Sequence, residues 1–313
     1  MKVYERNYIE EHLTYPVCIE LMKKALADLA GGKSRQIVRT GMGLPKGALA
    51  MMPCYLGGSG CFGVKIISVY PRNAADGYPS HQGYVLLFDE AHGEAVAMAD
   101  ADTITEIRTA CASAAATDLL ARKDAKKLAI IGSGTQARSH LRAMLCVRDI
   151  ESVTVTSFHR DHAEAFAANM QAECPVPIRV VDTVEEAVKD ADIVCSVSRS
   201  REPIIHGEWI PEGCHVNAVG TCSPVTREAD SALVARSKLY VDQIEACKAE
   251  SGEYLIPLKE GLITEDHIKG SIGDLVLGKV KGRESETEVT LFDSLGLAVE
   301  DVICADYLYR ADQ

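Results

Sequence analysis

The chain has no Cys-x-x-Cys pair, although it carries 11 cysteines, at positions 18, 54, 61, 111, 146, 174, 195, 214, 222, 247 and 304. An odd, irregularly spaced set in a chain this long points to reduced thiols and a cytoplasmic location, not to a disulfide framework. No His, Cys, Asp and Glu residues fall at metal-ligand spacing. His159/His162 and His81/His92 stand without a partner motif, so no bound metal is expected. Basic charge is scarce: 33 Lys and Arg against 45 Asp and Glu give a net charge of −12. That balance argues against a nucleic-acid partner, whose phosphates require a basic face. No apolar run approaches the ~18 residues of a membrane span, and Met1–Arg6 lacks an apolar signal core. Neither a membrane partner nor export is therefore expected. Internal repeats and low-complexity linkers are also missing.

What remains is ordinary globular material, 47% hydrophobic and 25% charged over 313 residues, enough for about two domains. Pro16 opens a helix with Val17, Leu21, Ala25 and Leu29 on one face, stopped by Gly31-Gly32. Strand-like segments follow at 48–55 and 61–70, and segments 83–89 and 94–99 read as a hairpin. Asp102 and the capping-box pattern Thr103-x-x-Glu106 open an Ala-rich helix running to about Arg122. This first part reads as α+β. From Lys127 the pattern becomes strict strand–helix alternation, with strands at 128–132, 153–157, 178–181, 193–198, 215–220 and 238–242, and Thr183-x-x-Glu186 capping one of the helices. Such alternation predicts a parallel, doubly wound sheet. A short strand near 288–292 precedes a final helix over 296–310, whose Leu297, Val302, Ala305 and Leu308 suggest a packed face. That helix is expected to return to the first part.

The most specific motif opens the second part. The apolar run Leu128–Ile131 passes directly into Gly132-Ser133-Gly134-Thr135-Gln136-Ala137 and then into a helical sequence. This is Gly-x-Gly-x-x-Ala in its proper setting, and it marks a dinucleotide site. Gly132 permits the tight turn, Gly134 the close approach of backbone to a pyrophosphate, and Ala137 close packing of helix on strand. The pyrophosphate would sit on the helix N-terminus, where unpaired N–H groups point outward.

An acid is missing where a chain that prefers NAD usually has one, at the end of the second strand of this unit. The strand ends instead in Thr156-Ser157 and continues Phe158-His159-Arg160. Arg160 could form charge-assisted bonds to a 2′-phosphate, with Ser157 and His159 beside it. NADPH is therefore the expected cofactor, with NADH the alternative if Arg160 is only a solvated loop residue.

With these residues in hand, the chain resembles the ornithine cyclodeaminase/mu-crystallin family over nearly its whole length. The landmarks are Val38-Arg39-Thr40, Met52-Pro53, Val64-Lys65, Pro79-Ser80-His81-Gln82, Ile104-Thr105-x-x-Arg108-Thr109, the fingerprint, Val216–Gly220 and Ser294–Asp301. The resemblance implies an α/β architecture in which a Rossmann unit (121–295) is inserted into an α+β substrate-binding and dimerisation domain (1–120 plus 296–313), and it implies a homodimer. It extends the expected cofactor contacts to Thr109, Ser196, Val197, Ser198, Val219, Gly220 and Leu295.

The same resemblance places Arg39, Lys65 and Arg108 at substrate positions, with Met52 and Cys222 lining the site. Read from the residues alone, each cation lies in a segment that should be partly buried, and a buried cation needs an anionic partner. Two readings stay open: three separate ion pairs with local Asp or Glu (or a snorkelling Lys), or a shared carboxylate site. In the second, Arg39 and Arg108 clamp a substrate carboxylate, and Lys65 (or a water it holds) is the acid, its pKa lowered by the neighbouring arginines. Cyclodeaminases carry an Asp where this chain has Cys222. A thiol is a poor acceptor for an ammonium group, which favours a reductase. The expected activity is NADPH-dependent reduction of a cyclic ketimine such as pyrroline- or piperideine-2-carboxylate, with Lys65 and Arg108 catalytic. Alternatives are an amino-acid dehydrogenase acting on a small 2-oxo acid, a cyclodeaminase-type lyase, and a non-catalytic crystallin-like binding protein.

Overall fold

A computed structural model of the chain describes residues 1–313, the side chains of Ala74 and Ala75 excepted. The chain forms two compact units, Met1–Arg108 with Gly296–Gln313, and Thr109–Leu295.

The first unit runs β1 (Lys2–Tyr4), α1 (Arg6–His12), α2 (Tyr15–Ala30), β2 (Arg35–Gln36), β3 (Thr40–Leu44), β4 (Gly47–Leu56), β5 (Cys61–Val69), β6 (His81–Asp89), β7 (Ala95–Asp100) and the start of α3 (Ala101–Leu120). Its sheet has the order β1-β7-β6-β5-β4-β2, with β3 also paired to β4. The pairings are antiparallel except for β1 with β7. Alternation along β4 and β5 buries Met52, Cys54, Leu56, Cys61 and Lys65 on one face. Against that face packs the returning helix, Ala298–Ala311, labelled α11 below. The approach is close: a Cβ at Gly63 would stand 2.8 Å from Val302 Cγ1.

Three local expectations are corrected here. The buried face of α2 is Cys18, Ile19, Met22, Ala25 and Leu26, while Val17 and Leu21 are half-buried, because the helix turns Cys18 toward Cys304 of α11. Helix α3 is capped not by a Thr103/Glu106 box but by Asp100, whose Oδ1 accepts from Thr103 N at 2.8 Å. Glu106 instead pairs with Arg6 at 3.3 Å. Finally, the units divide at 108/109 within α3, not at 120/121. Arg108 bonds residues of the first unit, whereas Ser113 and Thr117 bond His140 and Asn217 of the second.

The second unit continues β8 (Lys127–Ile131), α4 (Thr135–Leu145), β9 (Ser152–Thr156), α5 (Arg160–Met170), β10 (Ile178–Val180), α6 (Val184–Val188), β11 (Ile193–Ser196), β12 (His215–Ala218), α7 (Ser231–Arg236), β13 (Lys238–Val241), α8 (Ile244–Glu250), α9 (Gly252–Lys259), β14 (Ile268–Ser271), α10 (Ile272–Val276) and β15 (Thr290–Asp293). The sheet order is β10-β9-β8-β11-β12-β15-β13-β14, and every pairing is parallel. Strand order reverses between β8 and β11, the switch point at which ligands of such sheets bind. Polar residues in the central strands satisfy one another: His215 meets Thr290 Oγ1 at 2.9 Å and Asn217 Oδ1 at 3.3 Å, and Asn217 Nδ2 donates to Thr117 Oγ1 at 3.0 Å. Among the described residues, no helix is long and apolar enough to cross a membrane.

Candidate active site

In the second unit most of the residues expected to bind cofactor lie in the turns just beyond the strand ends, and Ser196 is the last residue of β11. Gly132 follows β8 with φ +119°, a conformation that favours glycine. A Cβ there would also stand 2.9 Å from the carbonyl oxygen of Val197, beyond β11. Gly134 is the N-cap of α4, without a side-chain cap, and nothing lies within 4 Å of where its Cβ would be. The first turn of α4, with Thr135, Gln136 and the buried Ala137, holds no acidic residue. Open space over an uncapped helix N-terminus suits a pyrophosphate. Ser133 Oγ donates to Ser157 Oγ at 3.0 Å, tying the turn to the end of β9. His159 is the N-cap of α5 and packs edge-on against Phe158 and His162. Arg160 pairs with Glu164 at 2.8 Å and also with Asp182, both partners exposed. Thr109 lies on α3, and Leu295 N donates to Asp242 Oδ2 at 2.8 Å.

The turns beyond β11 and β12 are held by a residue the sequence did not single out. Glu228, fully buried, accepts from Ser198 N at 2.9 Å, Ser198 Oγ at 2.5 Å and Gly220 N at 2.7 Å. Its own N–H donates to Glu253 Oε1 at 2.7 Å, and Glu253 Oε2 accepts from Thr221 Oγ1 at 3.2 Å. Burial pushes both carboxyls above the usual range. These bonds fix Ser198, Gly220 and Thr221 at the start of the loop carrying the exposed Cys222, and Val219 N donates separately to Ser196 O at 3.0 Å.

In the first unit the three expected cations converge. Met52 and Lys65 are partners across β4 and β5, both pointing into the buried face. Lys65 Nζ donates to Thr105 Oγ1 at 2.6 Å and to Asp301 Oδ1 at 3.1 Å. Arg108 donates from Nε to the same Asp301 Oδ1 at 2.9 Å and from Nη1 to Glu300 Oε2 at 2.6 Å. Arg39, in the turn between β2 and β3, donates from Nη2 to Gly296 O at 3.4 Å. Gly296 has φ +81°, and its Cβ position lies 2.7 Å from Arg108 Nη1. Lys65 and Arg108 thus share one cluster of anions that are distant in the sequence, and Arg39 joins it through the carbonyl of Gly296. Both anions come from the first turn of α11, where the helix dipole favours negative charge.

The electrostatics follow from burial first. Lys65 is drawn down to about 8, chiefly by desolvation. Asp301 opposes that fall, and Arg108 and Arg39 reinforce it. The arginines alone, invoked from sequence, are thus the smaller part. Burial also acts against Arg108, but Asp301 and Glu300 more than offset it and hold the guanidinium charged. A buried ammonium near 8 with a resident counter-anion can both bind an anion and yield a proton at neutral pH. Among the described residues, no group of three or more His, Cys, Asp or Glu could hold a metal.

Comparison with known proteins identifies the family. The sequence profile of the ornithine cyclodeaminase/mu-crystallin family matches residues 1–312. A Delta(1)-pyrroline-2-carboxylate reductase of Bacillus cereus is 39% identical over 261 residues, 83% of this chain and 80% of that protein. The ketimine reductase mu-crystallin of Mus musculus is 35% identical over 307 residues, 96% of this chain and 94% of that protein. The structure of Thermococcus litoralis Delta(1)-pyrroline-2-carboxylate reductase in complex with NADH and L-proline superposes with a TM-score of 0.96 at 39% identity, covering 99% of this chain and 97% of that one. The chain belongs to the ornithine cyclodeaminase/mu-crystallin family.

Proposed function

We propose that this oxidoreductase reduces the C=N bond of a cyclic 2-imino acid, with pyrroline-2-carboxylate or piperideine-2-carboxylate as substrate and NADPH as the preferred donor. The observation that carries this reading is the cluster of the buried Lys65 and Arg108 with the half-buried Arg39, which offers a carboxylate clamp and a proton beside it. Relatives named as reductases of such imines support the substrate class. Held by its pyrophosphate at the turn of Gly132–Ala137, a nicotinamide cofactor would supply the hydride.

The chain's own residues do the rest. Arg39 and Arg108 orient the substrate carboxylate through guanidinium forks. Lys65 gives a proton from Nζ to the imine nitrogen as the C=N π pair moves onto that nitrogen, and regains one from water. Cys222 offers no anion to receive a substrate ammonium, which argues against cyclodeamination. For the donor, no acid at the end of β9 repels a 2′-phosphate. The ion pairs of Arg160 are solvent-exposed, so they compete weakly for its guanidinium. A homodimer is part of the proposal. The sheet face opposite α11 presents Met51, Val64, Ile66, Tyr84, Leu86 and Met98, a broad apolar surface suited to a second copy.

The test follows NADPH absorbance with each cyclic imine, with NADH in parallel and sedimentation on the same sample. Oxidation of NADPH with formation of L-proline or L-pipecolate is expected, reduced about 100-fold or more in Lys65→Met. Ammonia release from ornithine without NADPH oxidation would overturn the reading in favour of a lyase.

A further inference from the structure

Asp301 does more than balance charge. It is fully buried, and its Oδ1 alone receives both Lys65 Nζ and Arg108 Nε. Glu300, one residue earlier, plays a different part, because its Oε2 takes Arg108 Nη1 and the N–H of Leu297, closing the cap of α11. The groups facing Lys65 come from two elements and a turn. They are Asp301 on α11, Arg108 and Thr105 on α3 with Asp102 farther off, and Arg39 between β2 and β3. Asp102 is paired outward with Arg6 at 3.8 Å. Facing Asp301 itself are Cys54 of β4 and Cys304 of α11, both buried thiols pushed up by burial and so neutral. Asp301 is thus the anion in hydrogen-bonding contact with the Lys65 ammonium.

We propose that Asp301 is the positioning residue of the reaction, one buried carboxylate oxygen that keeps Lys65 protonated and aimed while fixing the angle of the Arg108 clamp. The reaction it serves rests on the reductase reading; its hold on Lys65 does not. Burial already works against the Lys65 ammonium, with Arg108 and Arg39 adding to it, so loss of the carboxylate charge removes the main opposing influence. Through Arg108, the same oxygen couples the acid to the group that orients the substrate carboxylate.

The experiment titrates Lys65 directly by ¹⁵N NMR of lysine-labelled protein, the resonance being identified by its loss in Lys65→Arg, and in parallel records kcat against pH with pyrroline-2-carboxylate. In Asp301→Asn the Nζ midpoint should fall by about one pH unit or more, and the alkaline limb of kcat should fall with it. Asp301→Glu keeps the charge but lengthens the arm. It should leave the limb near its wild-type position while raising KM through a displaced Arg108. A merely structural role would lower kcat equally at every pH, with the limb unmoved, and that result overturns the proposal. So does a limb that shifts as far in Asp301→Glu as in Asp301→Asn. If Asp301→Asn does not fold, the Asp301→Glu profile decides alone: a shifted limb rejects the proposal and an unshifted one with raised KM upholds it. If wild-type protein reduces no imine, the reductase reading fails by itself, and the Nζ titration still decides what Asp301 does.

Discussion

Arg160 occupies the first position of α5, beside the end of β9, with its guanidinium among Glu164 and Asp182. If it receives a 2′-phosphate, it does so by exchanging those exposed partners for a doubly charged one. Arg160→Glu should therefore raise KM for NADPH roughly tenfold while leaving KM for NADH within a factor of about two; equal effects on both donors would remove Arg160 from the discrimination. At this scale the sequence was informative about cations and silent about their partners. Lys65 interrupts an apolar strand and Arg108 an Ala-rich helix, so both are conspicuous. Asp301 lies 236 residues from Lys65 and 193 from Arg108. No local pattern reveals a pairing that only the return of the chain creates. Glu228 was equally hidden, since its partners Ser198 and Gly220 are backbone and hydroxyl donors in distant turns.

The entry of α11 is the element on which the cation cluster turns. Gly296 adopts φ +81° just before the helix and lies directly under the Arg108 guanidinium. An alanine there would meet a backbone penalty of about 1–2 kcal/mol and a Cβ 2.7 Å from Arg108 Nη1. Gly296→Ala is expected to lower the melting temperature by several degrees and to raise KM for the imine more than it lowers kcat. An unchanged KM would mean that Arg108 does not hold substrate. Elements with a strong period were legible in advance. β8 with its fingerprint, the β6–β7 hairpin and the final helix all appear within a few residues of the expected bounds. β1, α1, β3 and β14 were not legible, being short or polar, and β1 forms only by pairing with the distant β7. Strand ends were read too long, because the apolar pattern continues past the last paired residue into the turns that form the site.

For the whole molecule, buried ionisable groups set opposing slopes of stability against pH. Burial raises Glu253 to about 7 and carries Glu228 and Asp293 upward with it. A carboxyl whose folded pKa is raised contributes stability that is fully present below its unfolded value of ~4.3 and is lost as pH climbs through the folded value. His140 and His215, drawn down to about 4 and about 3 by burial, act in the other sense: their contribution is present above ~6.5 and is lost as pH falls. Urea midpoints should accordingly decline above about pH 6.5, where the histidines no longer oppose the carboxyls, and Glu253→Gln, which leaves the acceptor for Glu228 N in place, should flatten that decline; an identical slope in the variant would assign it elsewhere. The fold class was legible at this scale, because strict alternation from Lys127 admits few other sheets. The division inside α3 was not, because that helix is uniformly Ala-rich and shows no change where its bonding partners change. The chain's path also has a temporal side. A ribosome delivers residues 1–108 with Lys65 and Arg108 already in place, then the whole of 109–295, and only afterwards Glu300 and Asp301. Until then the first sheet has two cations to bury and lacks the two carboxylates that bond them. The nascent first unit must wait, open and hydrated, while the second has all of its sequence and can fold ahead of it.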